Sequence, residues 1–273
     1  MSETTAARHL ALSEAQFLAA SAEAQRIVET PGFRVHLWRT PDTFYRNVAV
    51  PTAPLPDWEP AIPAMAAVFR EHRRQPMVEY AAERWPQLGP ALERAGFAGE
   101  VPLIAMACDR SMVERASTVP SGLTLRPLDG STPIPVLGTY LAALHGIFEA
   151  RRPLAVGLDE IAPLQRALAA GRTQICMVQG ADGRAIAGAN LVGIAQVPGI
   201  AGPVAELAGV WIAEAARGRG LARLLVGVLL RRFFAGGRGL VWLAADDRLA
   251  RGLYAGLGFR PIGRLLRYSR DTA

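Results

Sequence analysis

Glu206–Ala222 reads ELAGVWIAEAARGRGLA, and its reading decides how the rest of the chain is parsed. Ala205–Ile212 has the composition of a strand. Arg217-Gly218-Arg219-Gly220 is a glycine-rich turn, after which Leu221, Leu224, Leu225, Val228 and Leu229 recur at helical spacing. The run is therefore a strand feeding a turn that becomes a helix. The first amides of a helix lack an intrahelical partner, and the helix dipole adds partial positive charge there. Glycines remove the Cβ atoms that would hold a phosphate away from those amides. Arg217 and Arg219 add full charges, so a pyrophosphate is the natural guest. From the loop alone, a short basic turn with glycines serving only the backbone remains the alternative. Gly218-x-Gly220 also begins a GxGxxG dinucleotide fingerprint, but Arg223 stands at the third glycine and about fifty residues follow it, too few for the rest of a doubly wound sheet. The Gly-Lys-Ser/Thr of an ATP-type loop is missing.

Working outward, Arg231 and Arg232 lie in the last turn of the helix, favourably against its dipole, and Gly236-Gly237 end it. Leu240–Ala244 reads as a short buried strand. Asp246 or Asp247 caps a helix running to Gly256, and Arg264–Tyr268 is a last strand. Upstream, Gln174–Gln179 and Ala185–Ile194 are strands, with Asp182-Gly183 as a hairpin turn. Helical stretches cover Ile134–Phe148 and Leu158–Ala170, after a strand at Leu123–Leu128. The polar segment Asp109–Ser121 marks a boundary, giving domains of 1–115 and 116–273.

The first domain echoes the second. A helix over Glu59–Arg74, then Met77–Tyr80, a helix over Trp85–Ala95, Gly96-Phe97 and Val101–Met106 follow one order. Gly220–Phe234, Leu240–Ala244, Arg248–Gly256, Gly258-Phe259 and Arg264–Tyr268 repeat it. The loop before the first of these helices, Ala53–Asp57, holds neither glycine nor arginine.

Arg217-x-x-Gly220-x-Ala222 at a strand-to-helix turn resembles the Q/R-x-x-G-x-G/A acyl-CoA motif of the GNAT superfamily of N-acyltransferases. Leu253-Tyr254-x-x-Leu257-Gly258-Phe259 is similar to the end of the same fold, one helix and one strand downstream. The resemblance covers about Leu123–Tyr268. It implies an α/β fold, a mixed and mostly antiparallel sheet flanked by helices, in tandem with a degenerate N-terminal copy. It further implies acetyl-CoA as co-substrate, bound at its pyrophosphate by the amides of Arg217, Gly218, Arg219, Gly220, Leu221 and Ala222. The pantetheine arm would pair with Val210-Trp211-Ile212 as an added strand. The thioester would lie between this strand and Leu240–Ala244, with an amide near Val210 facing its oxyanion.

By the same resemblance Tyr254 is placed as the general acid toward the departing thiolate, and Glu206 as the base for the amine proton. Asp247 stands where many relatives carry an asparagine that contacts pantetheine, a departure from the pattern. In the first domain Glu93 occupies the position of Tyr254. Acceptor recognition is expected from Leu144–Glu160, with His145, Glu149, Arg151 and Arg152 as its polar candidates.

Composition limits the other classes. With 51% hydrophobic and 20% charged residues, the chain reads as soluble and globular. No apolar run approaches the roughly 20 residues of a membrane span, and no secretion signal is read at the N-terminus. Cytoplasm is the expectation. Cys108 and Cys176 read as buried thiols, with neither a disulfide framework nor a metal site. The net charge is +6, and every one of the 30 Lys+Arg residues is arginine, scattered among acids rather than aromatics. That argues against a nucleic-acid track. The expected activity is N-acetylation of a primary amine of a small molecule by a monomer or homodimer. Protein N-acetylation and a non-catalytic acyl-CoA-binding module stand as alternatives.

Overall fold

Each half of the chain lays down nearly the same run of elements. The computed structural model describes residues 2–20, 25–38, 47–109, 118–148, 156–246 and 248–271. In the first half these are α1 (Glu3–Ala19), β1 (Gln25–Thr30), β2 (Phe33–Trp38), β3 (Val48–Pro51), α2 (Ala61–Glu71), β4 (Met77–Ala81), α3 (Leu88–Arg94), β5 (Ala98–Gly99) and β6 (Leu103–Cys108). In the second they are β7 (Thr124–Leu128), α4 (Ile134–Phe148), α5 (Leu158–Ala169), β8 (Gln174–Gln179), β9 (Ala185–Gln196), β10 (Pro203–Ile212), α6 (Leu221–Phe234), β11 (Leu240–Ala245), α7 (Arg248–Ala255) and β12 (Arg260–Ser269). Gly183, at φ 77°, closes the β8–β9 hairpin, helped by the Asp182 carboxylate accepting from the Arg184 amide.

The strands join one sheet in the order β1-β2-β3-β4-β12-β6-β11-β10-β9-β8-β7, with β5 against β12. Pairing is antiparallel except between β3 and β4 and between β10 and β11. This is the mixed, mostly antiparallel sheet flanked by helices that the sequence implies, with the two parallel contacts at matching places in the two halves. The closing strand of each half, however, sits in the sheet of the other. β12 pairs with β4 through Leu265↔Ala81 to Ser269↔Met77, and β6 pairs with β11 through Val241↔Cys108 to Ala245↔Ile104. The two exchanged strands then pair with each other. The sequence boundary at 115/116 falls outside the described residues, and a cut there does not divide the sheet.

Alternation along β11 shows how the faces are filled. Val241 and Leu243 point into a core with Leu224, Leu225 and Leu229 of α6. Leu240 and Trp242 turn to the opposite face, where Leu10 and Leu12 of α1 lie. On that face α4 and α5 cover Ile175, Met177 and Trp211. A further core under α2 and α3 holds Phe33, Val35, Met65, Phe69 and Leu92. Among the described residues no helix is long and apolar enough to cross a membrane.

α1 fastens both halves with polar contacts. Gln16 donates to the Gly193 carbonyl at 2.6 Å and accepts from the Trp242 indole at 2.9 Å. The Glu14 carboxylate accepts from Arg84 and from the Trp85 indole. Gln16 is 2% exposed, so its removal strands a buried donor, the Trp242 indole, and a half-buried acceptor, the Gly193 carbonyl. Each such group costs about 1–3 kcal/mol. Gln16→Ala is expected to lower stability by about 2–4 kcal/mol in urea unfolding. An unchanged midpoint would show that these bonds do not tie the helix to the sheet.

Candidate active site

The site begins where β10 and β11 stop pairing. Their parallel ladder runs only through Val204↔Leu240, Ala205↔Val241 and Glu206↔Trp242. Beyond it β10 stays with β9 and β11 stays with β6, so the strands part like a wedge. A bulge between Ala208 and Trp211 sharpens the parting, with Gly209 and Val210 inserted on β10. Gly209 has φ 56°, and a Cβ there would lie 2.8 Å from the Asn190 amide nitrogen, which only glycine accommodates. Tyr140 holds Asn190 in place through its hydroxyl. Val210, Trp211 and Ile212 thus lie on the strand that turns one edge toward the gap. The Trp211 ring itself is buried against Tyr140.

The chain leaves β10 through a single 3-10 turn, Glu214–Ala216, and enters α6 by the arginine-glycine loop. Gly218 and Gly220 have φ 75° and 73°, and a Cβ on either would meet nothing within 4 Å. The glycines therefore serve the left-handed backbone while the space beside them stays open. No side chain caps α6, which leaves its first amides without a partner from the protein. Arg217, Gly218, Arg219 and Gly220 are exposed, whereas Leu221 is buried and Ala222 half-buried. Among the described residues Arg217 and Arg219 make no ion pair. The Arg217 amide, expected from the sequence to face the pyrophosphate, instead donates to the Glu214 carbonyl at 3.1 Å, so the unpaired N–H groups begin at Gly218, beside two positive charges.

A cavity of about 300 Å³ occupies the parting of the strands. Glu206, Val210, Leu243 and Tyr254 line it from the second half, Phe148 closes it from the end of α4, and Glu79 and Leu103 reach it from the first half. Leu265 and Arg267 come from the exchanged β12. Burial, and then the neighbouring Glu79 carboxylate, push the Glu206 carboxyl up to about 8 against the pull of Arg267. Burial also pushes the Tyr254 phenol above its ordinary value. Its ring packs edge-on against Phe259, 5.8 Å between centroids. Both groups are biased toward their neutral forms.

Glu79, Leu103, Phe148, Leu265 and Arg267 were not singled out from the sequence as site residues. The available signal was Glu79, the one charged residue inside the apolar strand MVEYA; Arg267 is one of three arginines in RPIGRLLRYS and carries no such mark. These two are cross-strand partners, and Arg267 donates to one oxygen of Glu79, Oε2, from Nε at 3.0 Å and Nη2 at 2.5 Å. Of the expected acceptor residues, His145 is buried with Nε2 3.6 Å from the Glu160 carboxylate. Glu149, Arg151, Arg152 and Asp247 lie outside the described residues.

The matching gap of the first half is closed. β3 and β4 pair only at Ala49↔Val78, but α1 fills the space beside them through Leu10, Phe17 and Leu18. The remaining cavity is about 30 Å³. Glu93, at the position of Tyr254, accepts from Tyr268 at 3.0 Å, and Tyr268 stacks on Tyr80. Among the described residues no group of His, Cys, Asp or Glu is placed to hold a metal ion.

Residues 144–259 match the model of the acetyltransferase (GNAT) family, from the last turn of α4 to the Gly-Phe turn before β12. This segment is a GNAT-family domain. Solved structures share the whole tandem. A GCN5-related N-acetyltransferase from Kribbella flavida is 19% identical, with a TM-score of 0.73 over 97% of this chain and 96% of that one. A tandem GNAT protein from the clavulanic acid biosynthesis pathway is 15% identical, with a TM-score of 0.62 over 99% and 95%. A putative GNAT-family acetyltransferase from Novosphingobium aromaticivorans DSM 12444 is 21% identical, with a TM-score of 0.52 over 90% and 92%. At these identities the likeness is one of fold, and it extends over both GNAT-like halves. Comparison with curated proteins gives no match. The general chemistry of a GNAT domain is acyl transfer.

The raised Glu206 makes folding depend on pH. Its carboxyl titrates near 4.5 in the unfolded chain and near 8 in the fold. Its contribution is complete below about 4.5 and is lost as pH rises through about 8, where the fold must hold a buried charge. Glu206→Gln is therefore expected to gain stability relative to the wild type between pH 5 and 8, with no further gain above. Parallel urea midpoints at pH 5, 7 and 9 measure this, and a constant difference would refute the shift.

Proposed function

We propose that the protein is an acetyl-CoA-dependent N-acetyltransferase that acylates a primary amine of a small molecule. One observation carries the reading. Glu206, the bulged backbone at Val210 and Tyr254 line a single cavity between parting strands, and the same strand leads into the uncapped start of α6. The residues present suit the co-substrate. The amides from Gly218 to Ala222, with the side chains of Arg217 and Arg219, bind the pyrophosphate, and the free edge of Val210–Ile212 receives the amide-bearing arm as an added strand.

Acetyl-CoA supplies the acetyl group as a thioester. Glu206 takes a proton from the incoming amine, directly or through a water, and must be ionised to do so. With a carboxyl near 8 it holds that proton well once received. A backbone amide beside Val210 faces the oxygen on which negative charge develops. The C–N bond forms as the C–S bond breaks, and the sulfur leaves with the electron pair toward Tyr254.

Tyr254 serves that sulfur as a hydrogen-bond donor. A free tyrosine titrates near about 10 and a thiol near about 8.5, so full transfer runs uphill by roughly 2 kcal/mol even before burial raises the phenol further. A neutral phenol still stabilises a thiolate by about 1.5–3 kcal/mol through one hydrogen bond. Tyr254→Phe is accordingly expected to lower kcat by roughly 10- to 100-fold, with KM for acetyl-CoA changed by less than about threefold. Wild-type turnover in this variant would remove Tyr254 from the reaction.

The loop arginines act on affinity alone. Replacing Arg217 and Arg219 together by alanine is expected to weaken acetyl-CoA binding by roughly tenfold or more, as two partly exposed charge contacts are lost. The urea midpoint should hardly move, since both side chains are exposed. Unchanged affinity would place the pyrophosphate elsewhere.

A further inference from the structure

The acceptor side of the cavity is built by the half that lacks a phosphate loop. Glu79 on β4 and Leu103 on β6 belong to that half in sequence, and Leu265 and Arg267 belong to it in space through the exchanged β12. The charged pair here is unevenly satisfied. Arg267 spends Nε and Nη2 on one oxygen of Glu79, and its Nη1 lies 3.8 Å from Glu100. The other oxygen of Glu79, Oε1, has no hydrogen-bond partner among the described residues. The donors left on Arg267 are chiefly those of Nη1, on the side toward Glu100, while Glu79 keeps a free acceptor in Oε1. One guanidinium is set between the carboxylates of Glu79 and Glu100, an excess of one negative charge even with Glu206 neutral. A carboxylate entering the cavity would meet that excess, and would have to compete with Glu79 and Glu100 for the guanidinium. An ammonium would gain an acceptor and relieve the excess. Between the charged pair and the parting strands the wall is apolar, formed by Leu103, Leu265 and Phe148, which suits methylene groups.

From this juxtaposition we infer that the acceptor is a small alkyl diamine, whose reacting amine lies at Glu206 and whose second, cationic nitrogen is received by Glu79 Oε1. The inference rests on the N-acetyltransferase reading for the reacting end alone. The far end is a binding site whatever the chemistry. Glu79 thereby becomes a specificity residue supplied by the first half, which gives that half a part in the site although its own cleft is filled by α1.

Two readouts on the intact protein separate the two claims. In the first, thiol release from acetyl-CoA is followed with 1,4-diaminobutane, butylamine and 2,4-diaminobutanoic acid. The diamine is expected to exceed butylamine in kcat/KM by about tenfold or more, with the amino acid poorer than the diamine. Glu79→Gln should collapse the ratio of diamine to monoamine toward one, and Glu79→Asp should retain part of it. In the second, thermal stabilisation is read in the presence of coenzyme A without an acyl group. The diamine should stabilise the wild type and not Glu79→Gln, and butylamine should stabilise neither. Turnover of butylamine or the amino acid as good as that of the diamine would overturn the inference and leave the enzyme reading standing. Stabilisation by the diamine, lost in Glu79→Gln, with no thiol released from any amine, would do the reverse. Absence of both stabilisation and preference would overturn it without recourse to the variants.

Discussion

Two neighbouring strands that cease to pair inside a sheet leave peptide groups that must find other partners, and the architecture around Glu206 follows from that constraint. An unpaired buried N–H or C=O costs as much as a lost hydrogen bond. β10 and β11 nonetheless separate after Glu206↔Trp242. The separation is enforced from both sides: β9 holds β10 through a bulge that only Gly209 can form, and β6 holds β11 through five register pairs. The unpaired edges face a cavity instead of protein. An open edge maintained against this cost is a receptor for another extended backbone, which is what an amide-bearing arm provides.

The strand exchange makes that wedge rigid. Had β12 lain beside β11, the second half would close on itself and its splay would rest on local contacts. With β6 in that place, and β12 carried across to β4, the wedge is fixed by chain from both halves. α1 adds a clamp on the opposite face from α6, bonding to Gly193 and Trp242 in one half and to Arg84 and Trp85 in the other. Moving the two halves of the chain apart would break the β4–β12, β12–β6 and β6–β11 ladders and these side-chain bonds together.

Much of the second half was legible because its signals are local. The helical spacing from Leu221 to Leu229, the Asp182-Gly183 turn and the Gly-Phe stop each name an element without long-range information. Helix Ile134–Phe148 and strand Gln174–Gln179 fall where the sequence places them. No local signal names an element before Glu59, for a physical reason. α1 buries Ser13 and Gln16 alongside Leu10 and Leu12, so its inner face is not apolar by composition, and its partners are a distant carbonyl and a distant indole. The exchange of β6 and β12 was equally hidden. Both strands close a half after the same helix and Gly-Phe turn, and either slot offers antiparallel pairing, so the position in sequence does not choose between the two. For the site, loop and helix positions were readable from chemistry at fixed spacing. Glu79 and Arg267 were not, because their pairing exists only after β12 has crossed to β4.

The electrostatics of the cavity link the two halves. Glu206 is pushed up first by burial and then by Glu79, a residue more than a hundred positions earlier, so the first half adds to the bias of a carboxyl in the second. In the proposed reaction an arriving cationic amine reverses that bias, since positive charge near Glu79 and Glu206 favours the ionised carboxylate. The base is thus armed by the acceptor and stays neutral, and cheap to bury, when none is present. Tyr254 needs no such arming, because a neutral phenol is already the donor that a leaving sulfur requires. A single change in local charge, delivered by the substrate, then moves the site from its stable resting form to its reactive one. The stability that an ionised Glu206 would cost is met by the binding of the acceptor itself.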